Sequence, residues 1–147
     1  MTKYTYDYPM PSVTVDSVIF CCGQVLLIQR RDDPFKGCWA LPGGFMNMDE
    51  TLRQAVVRET LEETNLDISK YTIKEVGPFD SPGRDTRGRV ISFAFSTIIP
   101  LLAAGDVKAG DDAATFDWWD IQELPALAFD HLKIITQAIE QRKNMSK

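Results

Sequence analysis

Three glutamates, Glu59, Glu62 and Glu63, fall within five consecutive residues of a stretch with the composition of a helix. At about 100° per residue, measured from Leu52, Glu59 lies at about 340°, Glu63 at about 20° and Glu62 at about 280°, so one arc of roughly 100° carries all three and aims them at a cleft. Leu52, Ala55, Val56 and Leu66 share that stripe, a face that burial would cover. Carboxylates crowded there repel one another and lose hydration. Hard divalent cations bound through oxygen would compensate, and magnesium in particular accepts a few carboxylates together with water and substrate phosphate oxygens. Alternatively, the glutamates form the solvated acidic end of a surface helix, with Arg53 and Arg58 as ion-pair partners. Gly43 and Gly44, just ahead of the helix, favour the cation, because flexible backbone there lets a carbonyl approach it. Val57 and Leu61, near 140° and 180° on the wheel, predict cover on both flanks of the helix.

The elements that must position these groups can be read from local pattern. Residues 12–20 are rich in Val, Ile and Phe, and a second apolar run over 24–28 pairs with them in a hairpin turning at Gly23. Residues 30–37 are polar and turn-rich, and residues 40–42 lead into a flexible loop at Gly43 and Gly44. The helix over 51–64 is marked by a capping box, Thr51 with Gln54. Strands are predicted over 71–76 and 89–98 with a turn-like segment between, a loop over 101–113, a short strand over 115–119, and a closing helix from 131 to about 142 with Asp130 as N-cap. The order of strands, helix, strands, helix implies an α+β or mixed α/β sandwich, and no repeat or linker divides residues 1–147, so one domain is expected.

With 44% hydrophobic residues, the 147-residue chain can fill one core. Its net charge of −5 argues against duplex nucleic acid or anionic lipid as partner. A small anionic substrate is still accessible, given a bound cation and a few placed arginines. Residues 1–10 lack the apolar run of a secretory signal, and no stretch reaches the ~18 apolar residues that span a bilayer, so a soluble cytoplasmic protein is expected. Cys21, Cys22 and Cys38 form no disulfide framework and read as buried small residues in a reducing compartment.

Gly44, Glu50, Arg58, Glu59, Glu62 and Glu63, with five residues between the first two and seven between the next two, resemble the Nudix box, Gly-x5-Glu-x7-Arg-Glu-U-x-Glu-Glu-x-Gly-U, U being a bulky aliphatic. Every charged position matches. Thr60 stands where an aliphatic is usual, and Asn65 where the family has glycine; Asn tolerates the left-handed conformation that ends a helix. The resemblance implies the Nudix α/β/α sandwich with a mixed sheet, and attack of water on a phosphorus of a nucleoside diphosphate linked to another moiety. Carried over residue by residue, it makes Glu59 and Glu63 metal ligands, Glu62 a further ligand or water-positioning group, and the Gly43 carbonyl a backbone ligand. Gly44 supports the loop, and Glu50 with Arg58 braces it against the helix through an ion pair. Two or more magnesium ions, or manganese in their place, would hold the diphosphate and the water while a carboxylate takes the proton. That carboxylate comes from the helix or from a later acidic loop, which offers Asp106, Asp111 and Asp112; each of the three also reads as part of a solvated turn.

Arg30 to Phe45, the run Pro82-Gly83-Arg84-Asp85-Thr86-Arg87-Gly88-Arg89, and Leu127-Ala128-Phe129-Asp130-His131 look like the ADP-ribose pyrophosphatase branch of that family. Arg30, Arg84 and Arg87 are candidates to grip phosphates with forked donors, or else surface charges beside strands. Trp39, Phe45 and Phe79 are candidates to stack on adenine, with Trp39 reading more readily as core. His131 reads as an exposed residue at a helix start and receives no role. Three functions are open: hydrolysis of ADP-ribose to AMP and ribose 5-phosphate, clean-up of nucleoside triphosphates, and ADP-ribose sensing. A related group of sensors carries a winged-helix DNA-binding segment; the few residues after the last predicted helix leave no room for one, so no nucleic acid partner is expected. The branch resemblance implies a homodimer, in which Tyr4, Tyr6 and Tyr8 could exchange between subunits.

Overall fold

In the computed structural model, residues 3–110 and 113–145 are described. Strands β1 (Ser12–Cys21) and β2 (Gln24–Arg30) form the expected hairpin. Its turn residues Cys22 and Gly23 have φ of 53° and 77°, the doubly left-handed form that suits the twist of paired strands. Strands β3 (Trp39–Ala40), β4 (Gly43–Phe45), β5 (Lys74–Phe79), β6 (Val90–Ile98) and β7 (Ala113–Asp120) complete a mixed sheet. The order is β3-β2-β1-β6-β5, with β4 also on β1 and β7 also on β2. Among the described strand pairs β1 and β6 alone run parallel, from Ser12 opposite Val90 to Phe20 opposite Ile98.

Alternation along β1 sends successive side chains to opposite faces. Val15 and Ile19 pack with Ala55 and Val56 of helix α1 (Leu52–Thr64). Val18 packs with Ile134, Ile135 and Ala138 of the closing helix, α3 (His131–Met145). One helix on each face gives the α/β/α sandwich, and no helix among the described residues is long and apolar enough to cross a membrane.

The sheet forks. Near the hairpin β1 pairs with β2, Phe20 opposite Val25, but farther along β1 takes β4, Thr14 opposite Phe45, while β2 takes β3, Ile28 opposite Ala40. The chain crosses from one arm of the fork to the other through Leu41 and Pro42, which opens a wedge between β1 and β2.

Several expectations are corrected. β5 starts at Lys74 rather than at 71, because residues 68–70 form a short 3-10 turn capped by Asp67. It then runs through Gly77 and Pro78 with a bulge after Glu75; as an edge strand it can tolerate a residue lacking an N–H. A four-residue helix, α2 (Leu101–Ala104), opens the predicted loop. On α1, Val57 packs half-buried against the core but Leu61 is exposed, so the second flank is covered only in part, and the buried stripe contains Thr60 and Thr64 beside Ala55 and Val56. Thr60 Oγ1 donates to Ser17 Oγ at 3.0 Å, which is why a hydroxyl is accommodated at this position. Of the cysteines only Cys21 is buried; Cys22 is exposed in the turn and Cys38 half-buried, all with free thiols.

Candidate active site

The wedge holds a cavity of about 450 Å³, lined from both arms of the fork, from α1, from residues 84–87 and from the start of α3. Gly43 and Gly44 lie in β4, opposite Asp16 and Val15, and not in a flexible loop. What they require is room: a Cβ on Gly43 would strike the Val15 carbonyl, and one on Gly44 the Glu59 carboxylate. The capping box at Thr51 starts α1 and Asn65, at φ 66°, ends it, so the helix presents Glu59 and Glu63 one turn apart toward β4. Glu63 accepts a hydrogen bond from Gly43 N–H at 3.2 Å.

Arg58 organises this acidic wall. Its Nη2 and Nε donate to Glu50 at 2.6 and 2.9 Å, its Nη1 to Glu59 at 2.8 Å and to Glu62 at 3.2 Å, and its Nη2 also to the Phe45 carbonyl at 3.0 Å. The brace between Glu50 and Arg58 is thus present, and the bond to Phe45 ties it to β4. These hydrogen bonds hold the Glu50 carboxyl below its ordinary range, whereas burial pushes that of Glu59 up despite Arg58. Glu62 does not point into the cleft: its side chain is 57% exposed and lies outside the cavity lining. Arg53 pairs with none of the glutamates and donates to the Ile73 carbonyl.

The opposite wall carries all three predicted arginines. Arg84 is buried and forks onto Asp130, Nη2 to Oδ1 at 2.6 Å and Nε to Oδ2 at 2.9 Å. Asp130 stands at the helix start as expected, but its carboxylate serves Arg84. Arg87 forks onto Asp85 at 2.7 and 3.0 Å, with its guanidinium 5.2 Å from the Phe45 ring centre and 5.4 Å from that of Phe129. Arg30 donates to the Pro34 carbonyl at 2.7 Å, stacks 5.1 Å from Phe129, and has no ion pair among the described residues. Burial, followed by the Arg87 charge, pushes its pKa down.

Phe45 sits on the rim, but Trp39 and Phe79 are not brought to the cavity. Trp39 packs edge-on to Trp119 at 5.2 Å, and both Trp39 and Phe79 pack against the core beneath α3. Residues 105–110 dock on the end of α1: Lys108 N–H donates to Thr64 O and Gly110 N–H to Glu63 O, both at 2.9 Å. Asp106 is exposed there; Asp111 and Asp112 lie outside the described residues.

Sequence reading missed Asp16 and His131, both cavity-lining and nearly fully buried. His131 is therefore no exposed helix-start residue. Its Nδ1 accepts Leu41 N–H at 3.0 Å, and its Nε2 lies 3.5 Å from Asp16 Oδ1. Asp16 Oδ2 in turn accepts from Ser92 Oγ. The available signal was a single charged residue, a carboxylate, in a strand of apolar and hydroxyl side chains.

The donor chemistry suits a hard divalent cation: only oxygen ligands, with three carboxylates (Glu50, Glu59, Glu62) sharing one guanidinium. As the side chains stand they gather around Arg58, and among the described residues no three acidic, histidine or cysteine side chains converge on a common point.

A family profile described as NUDIX domain matches residues 10–138. The chain is 48% identical over 128 residues to an ADP-ribose pyrophosphatase of Methanocaldococcus jannaschii, covering 87% of this chain and 73% of that protein. It is 33% identical to the ADPR responsive transcriptional repressor NtrR of Acinetobacter baylyi, covering 96% of this chain but 58% of the repressor. Among solved structures, the NUDIX domain of Shewanella oneidensis NrtR complexed with ADP ribose superposes with a TM-score of 0.80 at 33% identity, over 92% of this chain and 93% of that one.

Proposed function

The chain belongs to the NUDIX domain family, and on that footing we propose that it hydrolyses ADP-ribose to AMP and ribose 5-phosphate with a divalent cation, magnesium or manganese. One observation carries the reading: a wall with acid in excess faces three guanidiniums across a cavity of about 450 Å³, within the size range of small-molecule sites. A diphosphate needs both walls. The 48% identity to an archaeal ADP-ribose pyrophosphatase supports ADP-ribose over other diphosphates.

Glu59 and Glu63, with the Gly43 carbonyl, would hold the cation. When bound, such a cation neutralises the diphosphate and activates the attacking water. Glu62, at the mouth beside Arg58, serves as a further ligand or positions the water. Arg58 bonds Glu50 and Phe45 O independently of Glu59, so the loop would stay fixed on the helix with Glu59 engaged by a cation. Arg30, with no carboxylate to give up, donates to phosphate oxygens; Arg84 and Arg87, each already forked onto an aspartate, shape that wall and add positive potential. Phe45 and the Arg87 plane above it offer adenine a stacking surface. The same reading takes the protein as a cytoplasmic homodimer acting on a small nucleotide rather than on nucleic acid.

A second reading, ADP-ribose binding without turnover, is supported by the 33% identity to a repressor described as ADPR responsive. One experiment separates the two: product analysis with magnesium or manganese, ADP-ribose, other nucleotide sugars, NADH and nucleoside triphosphates, using wild type and Glu63→Gln. AMP and ribose 5-phosphate from wild type alone are expected. Turnover of another panel member would discard ADP-ribose, and ADP-ribose binding without product would favour the second reading.

A further inference from the structure

Leu41, Pro42 and Gly43 carry the chain across the fork, and there regular pairing lapses. β3 ends at Ala40 and β4 begins at Gly43, so neither ladder supplies an acceptor for Leu41 N–H. A buried N–H left unpaired costs about 1–3 kcal/mol, so some group must meet it. Here three polar backbone groups of the crossing are met from three different elements. Leu41 N–H goes to His131 Nδ1 of α3 at 3.0 Å. The Pro42 carbonyl accepts from Ser17 N at 2.8 Å and Ser17 Oγ at 3.2 Å on β1. Gly43 N–H goes to Glu63 of α1 at 3.2 Å. Helices on opposite faces of the sheet therefore meet through three residues.

We propose that His131 is a positioning residue for the cation wall: by accepting Leu41 N–H it fixes the crossing segment, and with it the placement of Gly43 against Glu63. The inference rests on the reading that Gly43 and Glu63 belong to that wall. Because Nδ1 accepts, the imidazole proton sits on Nε2, the nitrogen facing Asp16 Oδ1 at 3.5 Å. Asp16, held by Ser92 Oγ, favours this tautomer over the other, which would set an Nδ1–H against Leu41 N–H. Burial disfavours the charged ring, which keeps the acceptor available. Packing alone would not call for a histidine here; an apolar side chain fills space without the desolvation cost.

Two variants of similar polarity separate positioning from packing. His131→Asn places a carbonyl oxygen where Nδ1 stands, keeping the acceptor for Leu41 and losing the reach to Asp16. His131→Gln does the reverse. Manganese binding, measured without substrate from the spin-resonance signal of free ion, should be weakened about tenfold or more in His131→Gln and by about threefold at most in His131→Asn. The half-saturating manganese for turnover should shift by the same factors, with kcat at saturating manganese changing less. Equal weakening in both variants, or wild-type binding in His131→Gln, overturns the proposal. Should both variants fail to fold, nitrogen-15 spectroscopy of wild type decides, since His131 is the single histidine: a neutral Nε2–H ring supports the proposal and an Nδ1–H or charged ring at pH 7 overturns it. A wild type that binds no manganese would sink the reading of the site itself, a result distinct from either variant outcome.

Discussion

The two walls of the cavity hold their charges in opposite ways. On the α1 wall, Glu50, Glu59 and Glu62 share the single guanidinium of Arg58, and Glu59 is half-buried with its carboxyl pushed up. On the facing wall, two aspartates have an arginine each, Asp130 with Arg84 and Asp85 with Arg87, both in forked geometry. Burial works against Asp85, yet the Arg87 hydrogen bonds prevail and hold its pKa down. The first wall carries acid in excess of its one guanidinium, the arrangement that the proposed cation would balance, while the paired aspartates and arginines of the second act as a frame. Arg30 alone of the three arginines has no ion pair among the described residues; its Nε donates to the Pro34 carbonyl, and the other donors are the ones proposed for a ligand.

The comparison breaks first at Glu63. If the acidic wall does the chemistry, Glu63→Gln should lower ADP-ribose turnover by roughly 10²- to 10⁴-fold with little change in the unfolding midpoint. Chromatographic measurement of AMP release checks this; near-normal turnover would mean that the wall is only an acidic surface.

The frame should respond in the other currency. Arg84→Ala leaves the Asp130 carboxylate, 14% exposed, without its partner, and a broken buried pair costs about 3–5 kcal/mol. Urea denaturation should register that loss. Wild-type stability in this variant would show that the arginine wall is not held by its ion pairs. Arg30→Ala sharpens the distinction from within the same wall: with no carboxylate to orphan, it should leave stability within about 0.5 kcal/mol while raising KM for ADP-ribose on the order of tenfold. An equal fall in stability for both variants would erase the difference between frame and donor.

The two walls also differ in how far sequence alone reached them. Glu59, Glu63, Arg58 and Glu50 sit on one helix and the turn before it, where a period of 3.6 residues converts spacing into direction. The same wheel misplaced Glu62 because it takes no account of Arg58, which draws that side chain outward. Gly43 and Gly44 were singled out for flexibility, yet they matter because the Val15 carbonyl and the Glu59 carboxylate leave no room for a Cβ; that is a property of β4 against β1, which local pattern does not carry. The frame joins groups far apart in the chain, Arg84 to Asp130 and Asp16 to His131, and only the fork of the sheet brings them together. Trp39 fails for the same reason: its place on a two-residue strand decides between cavity and core.

The smallest expected effect tests whether His131 belongs to the frame as a neutral group. Asp16 on β1 and Asp130 ahead of α3 favour its charged form, whereas Arg84 and Arg30 oppose it, and burial, the largest influence, sets the outcome: the folded pKa lies below the ordinary 6.5. Between those two values the unfolded chain binds the proton and the folded chain does not. Stability from this residue is therefore intact above about pH 6.5 and is lost as pH falls toward the folded pKa, with a slope of at most ~1.4 kcal/mol per pH unit. Urea midpoints taken just below pH 6.5 should fall for wild type and hold steadier in His131→Asn, which has no proton to take up there. If stability instead rises over that window in wild type, the ring is charged in the folded protein, and the Leu41 N–H then has no acceptor on that side of the crossing.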